Sequence, residues 1–290
     1  MSEDEIQYPP GFSLKDVVAW GTTGLVVLDE SSKTIIKTPL DSFDRERVHL
    51  ISKERQIYER LAKRGGHNGI LSYHGTFESG IRLEYAPNHN LQSFNKKHDV
   101  DFGQRLRWAT QIIEAIDFIH GAGVIHGDLT CANIFLDENL NAKLADFAGS
   151  SIDGSPLLIA VTASHEYPGP LLSVQGDLFA FGSVLYEIMT GDIPYKGLPD
   201  KEIRGRYLKG EFPSTESLQT IGSVIRKCWQ GEYNECKTII EDLRGTSPSK
   251  SKCKETTLII DIKQDMKQHN KSGPSCLPQH SSRYRPSSSL

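Results

Sequence analysis

The chain has 290 residues, 37% apolar and 24% charged, a balance suited to a soluble fold with one large core or two modest ones. A formal net charge of −4 gives no basic face for nucleic acid or an anionic membrane, and no stretch approaches the roughly 18 uninterrupted apolar residues of a membrane span. Five cysteines (Cys131, Cys228, Cys236, Cys253, Cys276) are odd in number and form no Cys-x-x-Cys pair, which argues against a disulfide framework or a zinc site; reduced thiols and a polar start, Met1 to Pro10, give the expectation of a cytoplasmic protein.

Residues 1–11 read as an N-terminal extension. From about Phe12 to Leu83 the pattern is mostly strand-like: Val17, Val18 and Trp20 lead into a Gly-containing turn, Leu25 to Leu28 form a short apolar run, and a further strand over Thr34 to Lys37 follows the polar turn Asp29 to Lys33. One helix interrupts them. Arg45 to Lys63 carries Val48, Ile51, Ile57, Tyr58 and Leu61 at near-helical spacing, and Gly65-Gly66 ends it. After Leu83 the chain becomes mainly helical, with a packed stripe through Leu106, Ala109, Ile112, Ile113, Ile116 and Ile119 and another through Leu178, Phe181, Val184, Leu185 and Ile188. This predicts an α+β chain, a β-rich lobe joined to an α-rich one. Beyond about Gly245, Ser, Lys, Pro, His and Gln dominate, and few apolar residues remain to offset ordering entropy, so a disordered tail is expected over 246–290.

The chemistry concentrates in two short stretches. His126-Gly127-Asp128-Leu129-Thr130-Cys131-Ala132-Asn133 supplies an Asp that can accept a hydroxyl proton and, five residues on, an Asn that can ligate magnesium; Asp146-Phe147-Ala148 supplies a second acid thirteen residues further. Those are three of the parts phosphoryl transfer needs, in order. Taken singly, each has a bland reading: Asp128 as a solvated surface acid, His126 as a core imidazole, Lys37 as an exposed strand residue.

Together with their frame these stretches resemble the eukaryotic protein kinase family from about Phe12 to Leu243. Thr34-Ile35-Ile36-Lys37 is similar to the family's Val-Ala-Ile-Lys, Glu54 sits where its helix glutamate pairs with that lysine, His67-Asn68-Gly69-Ile70 resembles its His-Pro-Asn-Ile turn, and Leu83-Glu84-Tyr85-Ala86 its hinge. Ile125 to Asp128 matches the catalytic loop, Asp146 to Ala148 the magnesium loop, Asp177 to Gly182 the start of the central helix, and Cys228-Trp229 a late helix. The resemblance implies a bilobal fold with an antiparallel N-lobe sheet over about 12–83, a helical C-lobe over about 87–245, and dependence on ATP and Mg2+. It implies that Lys37 holds the nucleotide phosphates with Glu54 fixing it, that Asp128 is the proton acceptor, and that Asn133 and Asp146 hold the metal. Gly21 and Gly24 would cover the phosphates; Val26 and Ile35 above and Phe135 below would sandwich the adenine, which Glu84 and Ala86 would meet through backbone groups. His126 would pack under Phe147.

Several positions depart from that pattern. Ala19 replaces the first of three loop glycines, Gly21-Thr22-Thr23-Gly24 being equally readable as a hairpin turn; Ala148 replaces the glycine of the magnesium loop; and Gly127 replaces the arginine that reaches a phosphate on the activation segment. Ser150, Ser151, Ser155, Thr162 and Ser164 are the candidate phosphorylation sites there, and activity is expected not to require them. Tyr167-Pro168-Gly169-Pro170 replaces Ala-Pro-Glu, and the Arg that would pair with that Glu is missing from Cys228 to Cys236, so no buried charge is left unpaired. The expected reaction is transfer to protein hydroxyls, with a lean to Ser/Thr although Thr130 stands where Ser/Thr enzymes carry Lys. Two other readings stay open: a pseudokinase scaffold, and a small-molecule phosphotransferase of the aminoglycoside or choline kinase type, which shares His-Gly-Asp.

Overall fold

The structure, a computed structural model, describes residues 7–21 and 23–246. Of the tail expected over 246–290, residues 247–290 lie outside the described residues, as do residues 1–6 of the extension.

The N-terminal part is a five-stranded antiparallel sheet built from β1 (Val17–Trp20), β2 (Leu25–Asp29), β3 (Thr34–Thr38), β4 (Tyr73–Phe77) and β5 (Gly80–Glu84), in the order β1-β2-β3-β5-β4. Register decides which face each side chain meets. Val26 pairs with Lys37 and Leu28 with Ile35, so Val26, Leu28, Ile35 and Lys37 share one face. Leu25, Val27 and Ile36 occupy the other, in a small core covered by Tyr8, Phe12, Val17, Leu40 and Phe77. Helix α1 (Arg45–Lys63) has the bounds its periodicity predicts. Asp44 caps it by accepting from Glu46 N and Arg47 N, and it ends at Gly65 and Gly66, which take φ of 97° and 69° at little steric cost. Its buried residues Ile57, Tyr58 and Leu61 join a larger core shared with the helical part of the chain.

The rest is mainly helical: α2 (Leu91–Lys97), α3 (Phe102–Gly121), α4 (Val174–Thr190), α5 (Asp200–Leu208), α6 (Gln219–Gln230) and α7 (Cys236–Gly245). Both predicted stripes lie here, on α3 and α4, and α4 is buried along most of its length, as expected of a helix apolar on all sides. Between α3 and α4 the chain forms two small antiparallel pairs: β6 (Val124–Ile125) with β9 (Ser151–Ile152), and β7 (Ile134–Leu136) with β8 (Ala142–Leu144). These pairs fix the ends of the two chemistry-bearing stretches.

Candidate active site

Strand β3 and helix α1 each bring one charge to a shared point. Lys37 Nζ lies 2.8 Å from Glu54 Oε2 and 2.7 Å from Asp146 Oδ1. Burial alone would lower the lysine pKa, but the two facing carboxylates reverse that and hold its ammonium above the usual range. Burial likewise pushes Glu54 up, against the pull of Lys37 and of the Phe147 N–H that donates to its Oε1 at 3.2 Å. At Asp146, which burial would also raise, the Lys37 ammonium prevails and keeps the carboxyl below the usual carboxylate range. Asp146 adopts φ 61°, a left-handed conformation that Asp tolerates better than most residues and that turns its carboxylate to Lys37.

The loop after β6 is held by a buried acid. Asp177, in the first turn of α4, accepts from His126 N and Gly127 N at 2.9 Å each, and from His120 Nε2 at 2.8 Å. His126 is fully buried; its Nδ1 accepts from Asp128 N at 3.2 Å and its Nε2 meets Ala145 O at 3.1 Å, which ties the two stretches together. Asn133 Nδ2 donates to both Asp128 O and Asp128 Oδ2 at 2.9 Å. Asp128 itself is half-buried, and burial raises its pKa against the pull of His126 and Asn133.

A column of rings stands behind these groups. Tyr73 of β4 stacks on Tyr58 of α1 at 6.0 Å, Tyr58 meets Phe147 edge-on at 5.2 Å, and Phe147 packs on His126 at 5.2 Å. The column binds sheet, helix and loop into one arrangement. Sequence reasoning put His126 under Phe147, but it gave Tyr58 only as an apolar-face residue of the first helix, did not single out Tyr73, and assigned no role to Asp177. The signals were there: Tyr58 follows Glu54 by one helical turn, and Asp177 is an acid in the first turn of a mostly apolar helix.

The expected cleft residues fall into two groups. Val26 and Ile35 are half-buried on the sheet face of Lys37, and Phe135 packs with Leu71, Ala86 and Ala145. Glu84 commits its carboxylate to Ser72 N and Oγ, at 3.0 and 2.9 Å, and to Lys143 Nζ at 3.3 Å, so only its backbone can face a ligand. Ala86 is buried, and among the described residues its N–H has no acceptor. Gly21 N donates to Gly24 O at 3.0 Å, closing a turn between β1 and β2. Gly24 has a packing reason to be glycine, because a Cβ there would collide with the Thr38 carbonyl, whereas a Cβ at Gly21 would meet open space.

The departures from the family pattern are accommodated. Ala148 does not take positive φ, so its methyl costs nothing in this state. A Cβ at Gly127, which has φ 73°, would collide with Leu157 Cδ2, so a segment leucine fills the space beside the loop. Cys236 is buried with Sγ 3.8 Å from His120 Nδ1. One expectation needs correction: Ser150, Ser151 and Ser164 are buried, Ser150 donating to His126 O and Ser164 bonding the His165 ring, so they offer no hydroxyl to a modifying enzyme. Thr162 is exposed and Ser155 half-buried.

Among the described residues no cluster of three or more His, Cys, Asp or Glu could hold a metal, and no helix is long and apolar enough to cross a membrane. The chain is 28% identical over 246 residues to serine/threonine-protein kinase PKH1 of Saccharomyces cerevisiae, which covers 72% of this chain and 32% of that protein. It is 30% identical over 203 residues to serine/threonine-protein kinase PDK1 of Cryptococcus neoformans (58% and 16%), and 28% identical over 237 residues to NUAK family SNF1-like kinase 1 of Mus musculus (76% and 34%). The chain thus spans about a third or less of the length of these relatives. A family model for protein tyrosine and serine/threonine kinases matches residues 18–242, and the chain belongs to that family.

Proposed function

We propose that this chain transfers the γ-phosphoryl group of ATP to Ser or Thr hydroxyls of proteins, with magnesium. The observation that carries this reading is the Lys37 ammonium held between Glu54 and Asp146 at 2.8 and 2.7 Å, with Asp128 and Asn133 bonded to each other in the adjoining loop. Lys37 offers a fixed point charge to phosphate oxygens, and the buried Glu54 keeps it from collapsing wholly onto Asp146. Asp128, raised by burial, is suited to orient the acceptor hydroxyl and take its proton. The half-buried Val26, Ile35 and Phe135 form apolar walls for the adenine, and the free Ala86 N–H is a donor for its edge.

Asn133 and Asp146 fit a magnesium site by their chemistry. Asn133 spends its Nδ2 on Asp128, which leaves the amide oxygen as an acceptor, and Asp146 is ionised; an amide oxygen and one carboxylate are the sparse hard-oxygen set that magnesium takes beside phosphate and water. A metal held there would screen the charge of the transferring group.

The lean to Ser/Thr over Tyr rests on the names of the relatives, each of the first two a serine/threonine-protein kinase. The family match favours protein over small-molecule acceptors. Hydrolysis of a phosphorylated protein substrate to its phosphoamino acids tests the acceptor: phosphoserine and phosphothreonine are expected, and phosphotyrosine alone contradicts the proposal.

A further inference from the structure

Glu54 has a neighbour whose placement the proposed reaction does not explain. Lys53 is only 6% exposed, yet among the described residues it forms no ion pair. Its ammonium donates instead to the carbonyl of Pro156, 2.7 Å away and 103 residues along the chain. An ammonium taken out of water without an acid is unfavourable unless its hydrogen bonds are replaced, and burial depresses its pKa accordingly.

Pro156 belongs to the segment between Asp146 and Tyr167, and other contacts hold that segment in the same place. Arg60, also on α1, donates to both Asp153 oxygens at 3.0 and 2.8 Å. Leu157, next to Pro156, fills the space against Gly127. Leu158 N donates to Gly149 O at 2.9 Å, and Asp153 N to Gly123 O at 2.9 Å. None of these contacts involves an anion that would have to be added, and the loop position where the family carries a phosphate-reading arginine is glycine.

We infer that Lys53 is a positioning residue that latches the segment to α1 through the Pro156 carbonyl, with Leu157 seated on Gly127, so that the catalytic arrangement stands without phosphorylation of that segment. The inference rests on the kinase reading for its functional consequence. Consecutive residues on a helix point about 100° apart, so α1 directs Glu54 to Lys37 and Lys53 to the segment from adjacent positions. Outward movement of α1 therefore breaks the Lys37 contact and the Pro156 bond together.

The test compares the full chain with Lys53→Met, which keeps the aliphatic stem, and with Lys53→Arg. Hydrogen exchange over 153–160, thermal midpoint, and kcat and KM for ATP are read for each, with the wild type also measured after phosphatase treatment. Lys53→Met is expected to exchange faster over 153–160 but not in α4, and to lose kcat on the order of tenfold to a hundredfold as the reacting groups lose alignment. KM for ATP and the midpoint stay close to wild type, Lys53→Arg recovers most of the kcat, and phosphatase changes nothing. Wild-type exchange and kcat in Lys53→Met, or loss of wild-type activity on dephosphorylation, overturns the inference. If Lys53→Met does not fold, Leu157→Ala carries the same expectations. Should the wild type transfer no phosphate at all, the kinase reading fails while exchange over 153–160 still decides the latch.

Discussion

Glu54 Oε2 lies 2.8 Å from Lys37 Nζ, and the Glu54 carboxylate is wholly removed from water. Replacing Lys37 by Met therefore strands a buried acid as well as removing the proposed phosphate contact. The expected outcome is loss of turnover together with a stability loss of about 3 kcal/mol, read by urea denaturation. The double variant Lys37→Met/Glu54→Gln recovers part of that stability and none of the activity. Additive losses would show that the two residues are not coupled.

The two loop glycines separate by what a methyl group would meet. Gly24→Ala drives Cβ into the Thr38 carbonyl, which is backbone and cannot swing aside, so a loss of about 1–3 kcal/mol is expected. Gly21→Ala meets nothing within 4 Å and leaves stability near wild type. Denaturation midpoints of the two variants check this, and equal midpoints would refute the assignment of Gly24 to packing.

Acid sensitivity has an identifiable contributor in His165. Burial holds its imidazole down to about 4, against 6.5 for a free histidine, and among the described residues its buried Nε2 has no partner. Below 6.5 the unfolded chain takes up the proton and the folded chain does not, so the neutral ring's contribution is intact above 6.5, is lost as pH falls towards 4, and levels off below. The shift corresponds to about 3 kcal/mol. His165→Gln should flatten the stability profile between pH 6.5 and 4 relative to wild type, measured as the urea midpoint at several pH values; parallel profiles would contradict the assignment.

Tyr58 carries the converse lesson about buried polar atoms. Its ring sits in the aromatic column, but its hydroxyl is buried with no hydrogen-bond partner among the described residues. Tyr58→Phe keeps the column and removes the unsatisfied group, so a gain of about 1 kcal/mol with unchanged kcat is expected. Tyr58→Ala, which opens the column, should lose both stability and turnover.

Most of the candidate site was legible because its residues sit in short ordered motifs whose spacing is local. Helix α1 was readable to its last residue, since its apolar positions recur at helical spacing and two glycines close it. Strand β4 was not delineated: none of its residues is fully buried, and Gly75 sits at φ 106° in a bulge that breaks the alternation. The helices α2 and α5 are short and bury only two residues each, which leaves little periodic signal. Lys53 was invisible for another reason. Its acceptor is a backbone carbonyl 103 residues away, and a backbone acceptor has no sequence signature. The buried state of Ser150, Ser151 and Ser164 likewise depends on tertiary packing that hydroxyl content does not reveal.

The central claim, that Asp128 and its neighbours perform phosphoryl transfer, meets its most direct test in labelled-phosphate transfer from ATP and magnesium to a general protein substrate, with the wild type beside Asp128→Asn. Removal of a positioned proton acceptor is expected to slow transfer by on the order of a hundredfold or more. Equal incorporation by the two proteins would contradict it.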